Sequence, residues 1–158
     1  MKKIFLGILL FWATGIITVF GQGNEKNRPA QLLSLYYTIK DALVSGNAGM
    51  ASIKAGELVK LINEVDTKIV NEASRDALLK DASPIAETKD IKYQRGHFST
   101  LSTNMYILAK TTKLTAQPVY YAYCPMKKAY WLSSEATIKN PYFGSSMLTC
   151  GKVEATLQ

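Results

Sequence analysis

Between Pro29 and Lys110 the apolar residues recur every three or four positions, in stripes broken only by short polar stretches. That period makes one side of a helix apolar and leaves the other wet, so this stretch must fold as helices packed by their stripes. Leu32, Leu33, Tyr36, Ile39 and Leu43 form the first stripe, over Pro29 to Val44. Ser45-Gly46-Asn47 closes it, with Asn47 placed to cap the next helix. Ile53, Leu58, Leu61, Ile62 and Val65 carry the second stripe, and the small residues Ala48, Gly49, Ala51, Ala55 and Gly56 would let a neighbour approach closely. A third, shorter helix is expected over Asp66 to Asp81, around Ile69, Val70, Ala77, Leu78 and Leu79. Ser83-Pro84 reads as a break, because the residue before proline avoids helical geometry. A long fourth helix then runs from Pro84 to Lys110 on Ile91, Phe98, Leu101, Met105 and Leu108. Four helices with short connections predict an antiparallel bundle.

After Thr115 the pattern changes. Val119 to Met126 and Ala129 to Leu132 are short and rich in aromatics, and IKNPYFG at Ile138 to Gly144 is turn chemistry. The expected class is therefore mainly α: a bundle of about four antiparallel helices with a short C-terminal β-hairpin or extended segment and a loop. The tail after Gly151 is expected to fray.

The chain opens MKKIFLGILLFWATGIITVFGQG, two lysines before an apolar run that ends in small and polar residues. That is the layout of a secretory signal, with cleavage expected after Gly21. Residues 1–21 are then a signal peptide and 22–158 a single helical domain, periplasmic or secreted, with no stable membrane anchor after cleavage. The formal charge is +7, and removing Lys2 and Lys3 lowers it to +5. The positive charges are interleaved with acids, as in Lys54/Glu57/Lys60, and no dense basic run carries stacking aromatics. Nucleic acid is therefore not an expected partner.

Only two cysteines occur, and each sits beside a methionine. Cys124 is followed by Met126, and Cys150 is preceded by Met147. If Tyr120 to Met126 were extended, Cys124 and Met126 would share a face. If Met147 to Cys150 made a helical turn, that pair would converge too. The NPYFG turn could then gather two thiolates and two thioethers. Such a soft set selects Cu(I) over hard cations, and zinc can compete for the thiolates. His97, the single histidine, lies at the edge of the fourth stripe and could add an imidazole. The same two cysteines in an exported chain could instead form one Cys124–Cys150 disulfide, worth about 3 kcal/mol for a loop of this size. Spacing alone puts the disulfide ahead of the metal site.

A Cys–His nucleophile would need His97 beside a thiol together with a third, orienting group, and no paired carboxylates, phosphate loop or HExxH helix is present. The chain is read as non-catalytic. CPM, then WL, then NPYFGSSMLTCG, with YYTIKDALVSGN and RGHFSTLS upstream, resembles the signature of a small bacterial family of exported domains of unknown function. Such domains are also found fused to periplasmic adaptor subunits of copper and silver efflux pumps. The family pattern falls on Cys124, Pro125, Met126, Trp131, Asn140, Pro141, Tyr142, Gly144, Met147, Cys150 and Gly151. On the helices it falls on Lys40, Ala42, Leu43, Arg95, Phe98, Leu101 and Ser102. The resemblance implies a helical domain in heavy-metal handling, with an efflux adaptor or a copper-delivery protein as partner. Arg95 and Lys40 are expected to be helix-surface charges paired with neighbouring acids.

Overall fold

The computed structural model describes residues 28–158; the expected signal segment lies outside them. Four helices come first: α1 Arg28–Val44, α2 Ala48–Glu64, α3 Glu72–Glu87 and α4 Ile91–Thr111. Three strands follow: β1 Val119–Cys124, β2 Ala129–Ser133 and β3 Lys152–Leu157. Each helix packs chiefly on its neighbours in sequence, as short connections dictate. Among the described residues no helix is long and apolar enough to cross a membrane.

The first two stripes are buried as their period requires, with one exception. Leu32, Leu33, Tyr36, Ile39 and Leu43 are sealed in the core, as are Leu58, Leu61, Ile62 and Val65, whereas Ile53 is 59% exposed. Ala51 and Ala55 take its place in the core beside Leu58, Leu61 and Ile62, whereas Gly56 is exposed. Asn47 caps that helix, accepting from the Met50 N–H at 2.9 Å.

The break expected at Ser83-Pro84 is not there. Pro84 lies inside α3, and the chain turns at Thr88-Lys89-Asp90. Caps decide the outcome over the local preference of proline. Asn71 accepts from the Ser74 N–H at 2.8 Å and starts α3 late. Asp90 accepts from Lys92 N–H at 2.8 Å and starts α4. Buried Gln94 then takes up carbonyls at the junction, donating to Thr88 O at 2.8 Å, Ile85 O at 3.2 Å and Ala48 O at 2.9 Å. Proline near the end of a helix forfeits one main-chain bond, and this network outweighs it.

The tail after Gly151 is ordered rather than frayed: β3 pairs antiparallel with β1, giving the strand order β2-β1-β3. An unpaired β1 edge would leave a row of main-chain groups without partners, and β3 supplies them. The opposite edge, on β2, is closed by two tyrosines. Leu132 N–H donates to the Tyr36 hydroxyl at 3.0 Å, and the Tyr142 hydroxyl donates to the Tyr130 carbonyl. Tyr36 passes the chain on, donating to Ser102 Oγ at 2.6 Å, which donates to Phe98 O at 2.7 Å. Burial pushes both phenols well above the ordinary tyrosine range, so both remain donors. One relay thus locks α1 and α4 to the sheet. Tyr36→Phe keeps the ring but strips a buried N–H and a buried hydroxyl of their partner, so a loss of about 2 kcal/mol is expected on urea denaturation.

Candidate functional site

The two cysteines meet at one end of the sheet. Cys124 is the last residue of β1 and fully buried, while Cys150 is half-buried at the end of the C-terminal loop. Their sulfurs lie 3.8 Å apart, and both are free thiols. A disulfide needs ~2.05 Å. Two thiolates bound to one ion at ~2.3 Å and a tetrahedral angle stand ~3.8 Å apart. The separation is also that of two thiols in plain van der Waals contact, and a shared three- or four-coordinate ion would need little movement of either sulfur.

Local chain geometry explains the approach. Pro125 ends the strand and Pro125–Lys128 turns back as a four-residue hairpin, closed by Lys128 N–H donating to Cys124 O at 2.8 Å. The turn directs main-chain donors at the sulfurs: Lys127 N–H donates to Cys124 Sγ at 3.4 Å. Burial and the neighbouring Cys124 push the Cys150 thiol above its ordinary value, while the Met126 N–H facing its sulfur pulls the other way. A protonated, raised thiol is a poor nucleophile, and it becomes a thiolate when a metal displaces the proton.

Cys150 is held in place by a side chain of the turn motif. Asn140 is fully buried and donates from Nδ2 to Cys150 O at 2.7 Å. Its Oδ1 accepts from Tyr142 N–H at 2.8 Å and Phe143 N–H at 3.3 Å. Asn140 N–H also donates to Leu148 O at 2.8 Å, so the loop closes on itself. Two glycines make the seat possible. Gly151 has φ 148°, and a Cβ there would lie 2.7 Å from Trp131 Cη2 and 2.8 Å from Tyr123 O. Gly144 has φ 56°, and its Cβ would meet the Arg95 guanidinium at 2.7 Å. Arg95 donates to Pro141 O at 2.8 Å and to Leu43 O at 2.8 Å, tying the loop to α4 and to the C-terminal end of α1. The expected acid partner for Arg95 is thus replaced by carbonyls. Lys40 does pair with Asp41 at 2.9 Å, but from a buried position.

The remaining candidates are placed differently. Met147 is half-buried, and its carbonyl accepts from Cys150 N–H at 3.1 Å, the helical-type turn expected there. Met126 does not share a strand face with Cys124, because the strand has already ended; its side chain is 65% exposed on the hairpin. His97 is engaged with α3: Nδ1 stands 3.4 Å from buried Asp81, which also accepts from Asn104 Nδ2 at 3.2 Å. Among the described residues no three His, Cys, Asp or Glu side chains gather as a metal-holding group, so His97 does not join the two thiols. The structure brings the cysteines together and holds the imidazole elsewhere. Asn140 and Arg95 were missed as positioning residues; the one signal for them was the turn chemistry of NPYFG.

No curated protein and no solved structure matches this chain. The model of a protein family of unknown function (DUF3347) matches residues 32–117, the helical part up to the threshold of β1. That is more than half of the chain, and the protein belongs to this family.

Proposed function

We propose that this protein is an exported, non-catalytic binder of a soft metal ion, Cu(I) foremost, which it buffers or passes on. Cys124 and Cys150 supply the thiolates, and Met147 and Met126 are the thioethers available to complete the shell. The reading is carried by the 3.8 Å approach of two sulfurs that are 26 residues apart in sequence. Soft thiolates prefer Cu(I), and a three- or four-coordinate ion calls for at least one more soft donor. The half-exposed Cys150 gives the ion a path in and out. The opening segment supports export to the periplasm, and an efflux adaptor or a copper-delivery protein is the partner class proposed.

The test is titration of the reduced mature protein with Cu(I) against a chromogenic chelator. One equivalent held per chain against the chelator is expected. Full retention of metal by the chelator would remove the metal reading. Intact mass of protein taken directly from the periplasm adds the thiol state: loss of two hydrogens, with reduction lowering the melting temperature and copper changing nothing, would establish the structural disulfide instead.

A further inference from the structure

The rim of the thiol pair has a character of its own. The hairpin Pro125–Lys128 is exposed throughout, with Met126 at its turn. Lys127 and Lys128 follow, and among the described residues neither has a carboxylate partner. Lys128 has φ 55°, a left-handed conformation that glycine or asparagine adopts without strain. On the adjoining strand Lys152 lies opposite Tyr123 with its side chain 69% exposed, and half-exposed Val153 lies opposite Ala122. Leu148, also part-exposed, precedes Cys150 by two residues. The end of the sheet where the sulfurs meet thus carries exposed Met126 and two lysines without carboxylate partners on its hairpin, with Lys152, which pairs with Glu154 at 3.0 Å, on the adjoining strand.

We propose that this tip docks an acidic surface on the protein that exchanges metal with Cys124 and Cys150, a proposal that rests on the metal reading above. Metal passes between proteins by ligand exchange, so the incoming donor atoms must be brought to Cys150. Lysines around a site steer an acidic partner over a Debye length and raise the rate of encounter, while a flexible methionine adapts to the surface that arrives. A lipid surface would also meet lysines and methionine, but it offers no soft donor for exchange.

The test uses two synthetic carriers with the same Cys-x-x-Cys pair loaded with Cu(I), one rich in glutamate and one rich in lysine. Transfer to the reduced full-length mature protein is followed by stopped flow. The acidic carrier is expected to deliver at least about tenfold faster at low salt, with the advantage vanishing near 1 M salt. Lys128→Gln with Lys152→Gln leaves Lys127, whose N–H faces the Cys124 sulfur, in place; it should weaken the preference severalfold while leaving chelator-measured Cu(I) affinity unchanged. Equal rates from the two carriers with wild-type affinity intact would overturn docking and leave the metal reading standing; no Cu(I) retained by the wild type overturns both. A metal-free arm reads docking alone: the apo acidic peptide should shift the amide resonances of residues 125–128 and 152. Absence of those shifts, or a lysine-dependent attachment to phosphatidylglycerol vesicles in their place, overturns the proposal.

Discussion

Serine at Cys150 is expected to lower the Cu(I) affinity of the reduced protein by about a thousandfold, or ~4 kcal/mol. Serine at Cys124 should cost as much. A serine oxygen is a hard, neutral donor that fits the same space but does not replace a soft anion. The fold should survive both changes, since a hydroxyl at position 124 can still accept the Lys127 N–H that now reaches the sulfur. Met147→Leu and Met126→Leu, which remove thioethers without removing charge, should each cost only about tenfold. The pH dependence follows from protons competing with the metal. Burial and Cys124 hold the Cys150 thiol above its ordinary value, so near neutrality it carries a proton that the metal must expel. With up to two protons leaving the pair, affinity should climb by up to about a hundredfold per pH unit and fall as the solution is acidified. The raised value of Cys150 extends that climb to higher pH than an ordinary cysteine would allow. Isothermal titration in buffers of different ionisation heat counts the protons directly. An affinity that is flat from pH 6 to 8, or untouched by either serine, would take the dithiol out of the site.

How far these features could be read in advance depends on how local their causes are. The stripes of α1 and α2 were legible because a three-to-four period needs only a neighbouring helix to bury it, and Asn47 capped α2 where its side chain predicts. Pro84 misled because its penalty is local, whereas Asn71, Asp90 and Gln94 set the ends of α3 and α4 jointly. The third strand was missed because Lys152–Leu157 is largely exposed and earns its order from the open edge of β1, a partner about thirty residues away. Proximity of the two cysteines was legible as one of two outcomes, both of which require it. The methionine at position 126 was misjudged because alternation holds only while the strand lasts, and Pro125 ends it. Asn140 was legible only as part of an Asn-Pro turn and not as the residue that seats Cys150: its partners are main-chain groups, whose positions exist only once the loop has closed.

Because the loop holds Cys150 through so few contacts, damage to it should reach the sulfurs as well as the stability. Gly151→Ala would place a methyl 2.7 Å from Trp131 Cη2 and 2.8 Å from the Tyr123 carbonyl, in a conformation that alanine rarely adopts. Neither obstacle can yield cheaply, since Trp131 is 1% exposed and Tyr123 is paired on both sides within the sheet. Backbone strain and overpacking together should cost about 2–4 kcal/mol. Asn140→Ala leaves the Tyr142 N–H and the Cys150 carbonyl without their partners, at about 3–5 kcal/mol. For a domain of this size either change should lower the melting temperature by on the order of 10 °C. A control of similar cost is Leu78→Ala on α3, whose side chain is fully buried in the helical part and worth about 2–5 kcal/mol. Measured at a temperature where all three variants are folded, the two loop variants should lose Cu(I) affinity while Leu78→Ala keeps it. Equal affinity in all three would mean that the sulfurs find each other without the loop, and that the bonds of Asn140 serve stability alone. A loss confined to the loop variants would instead make the Asn-Pro turn the device that sets the distance between the two thiols.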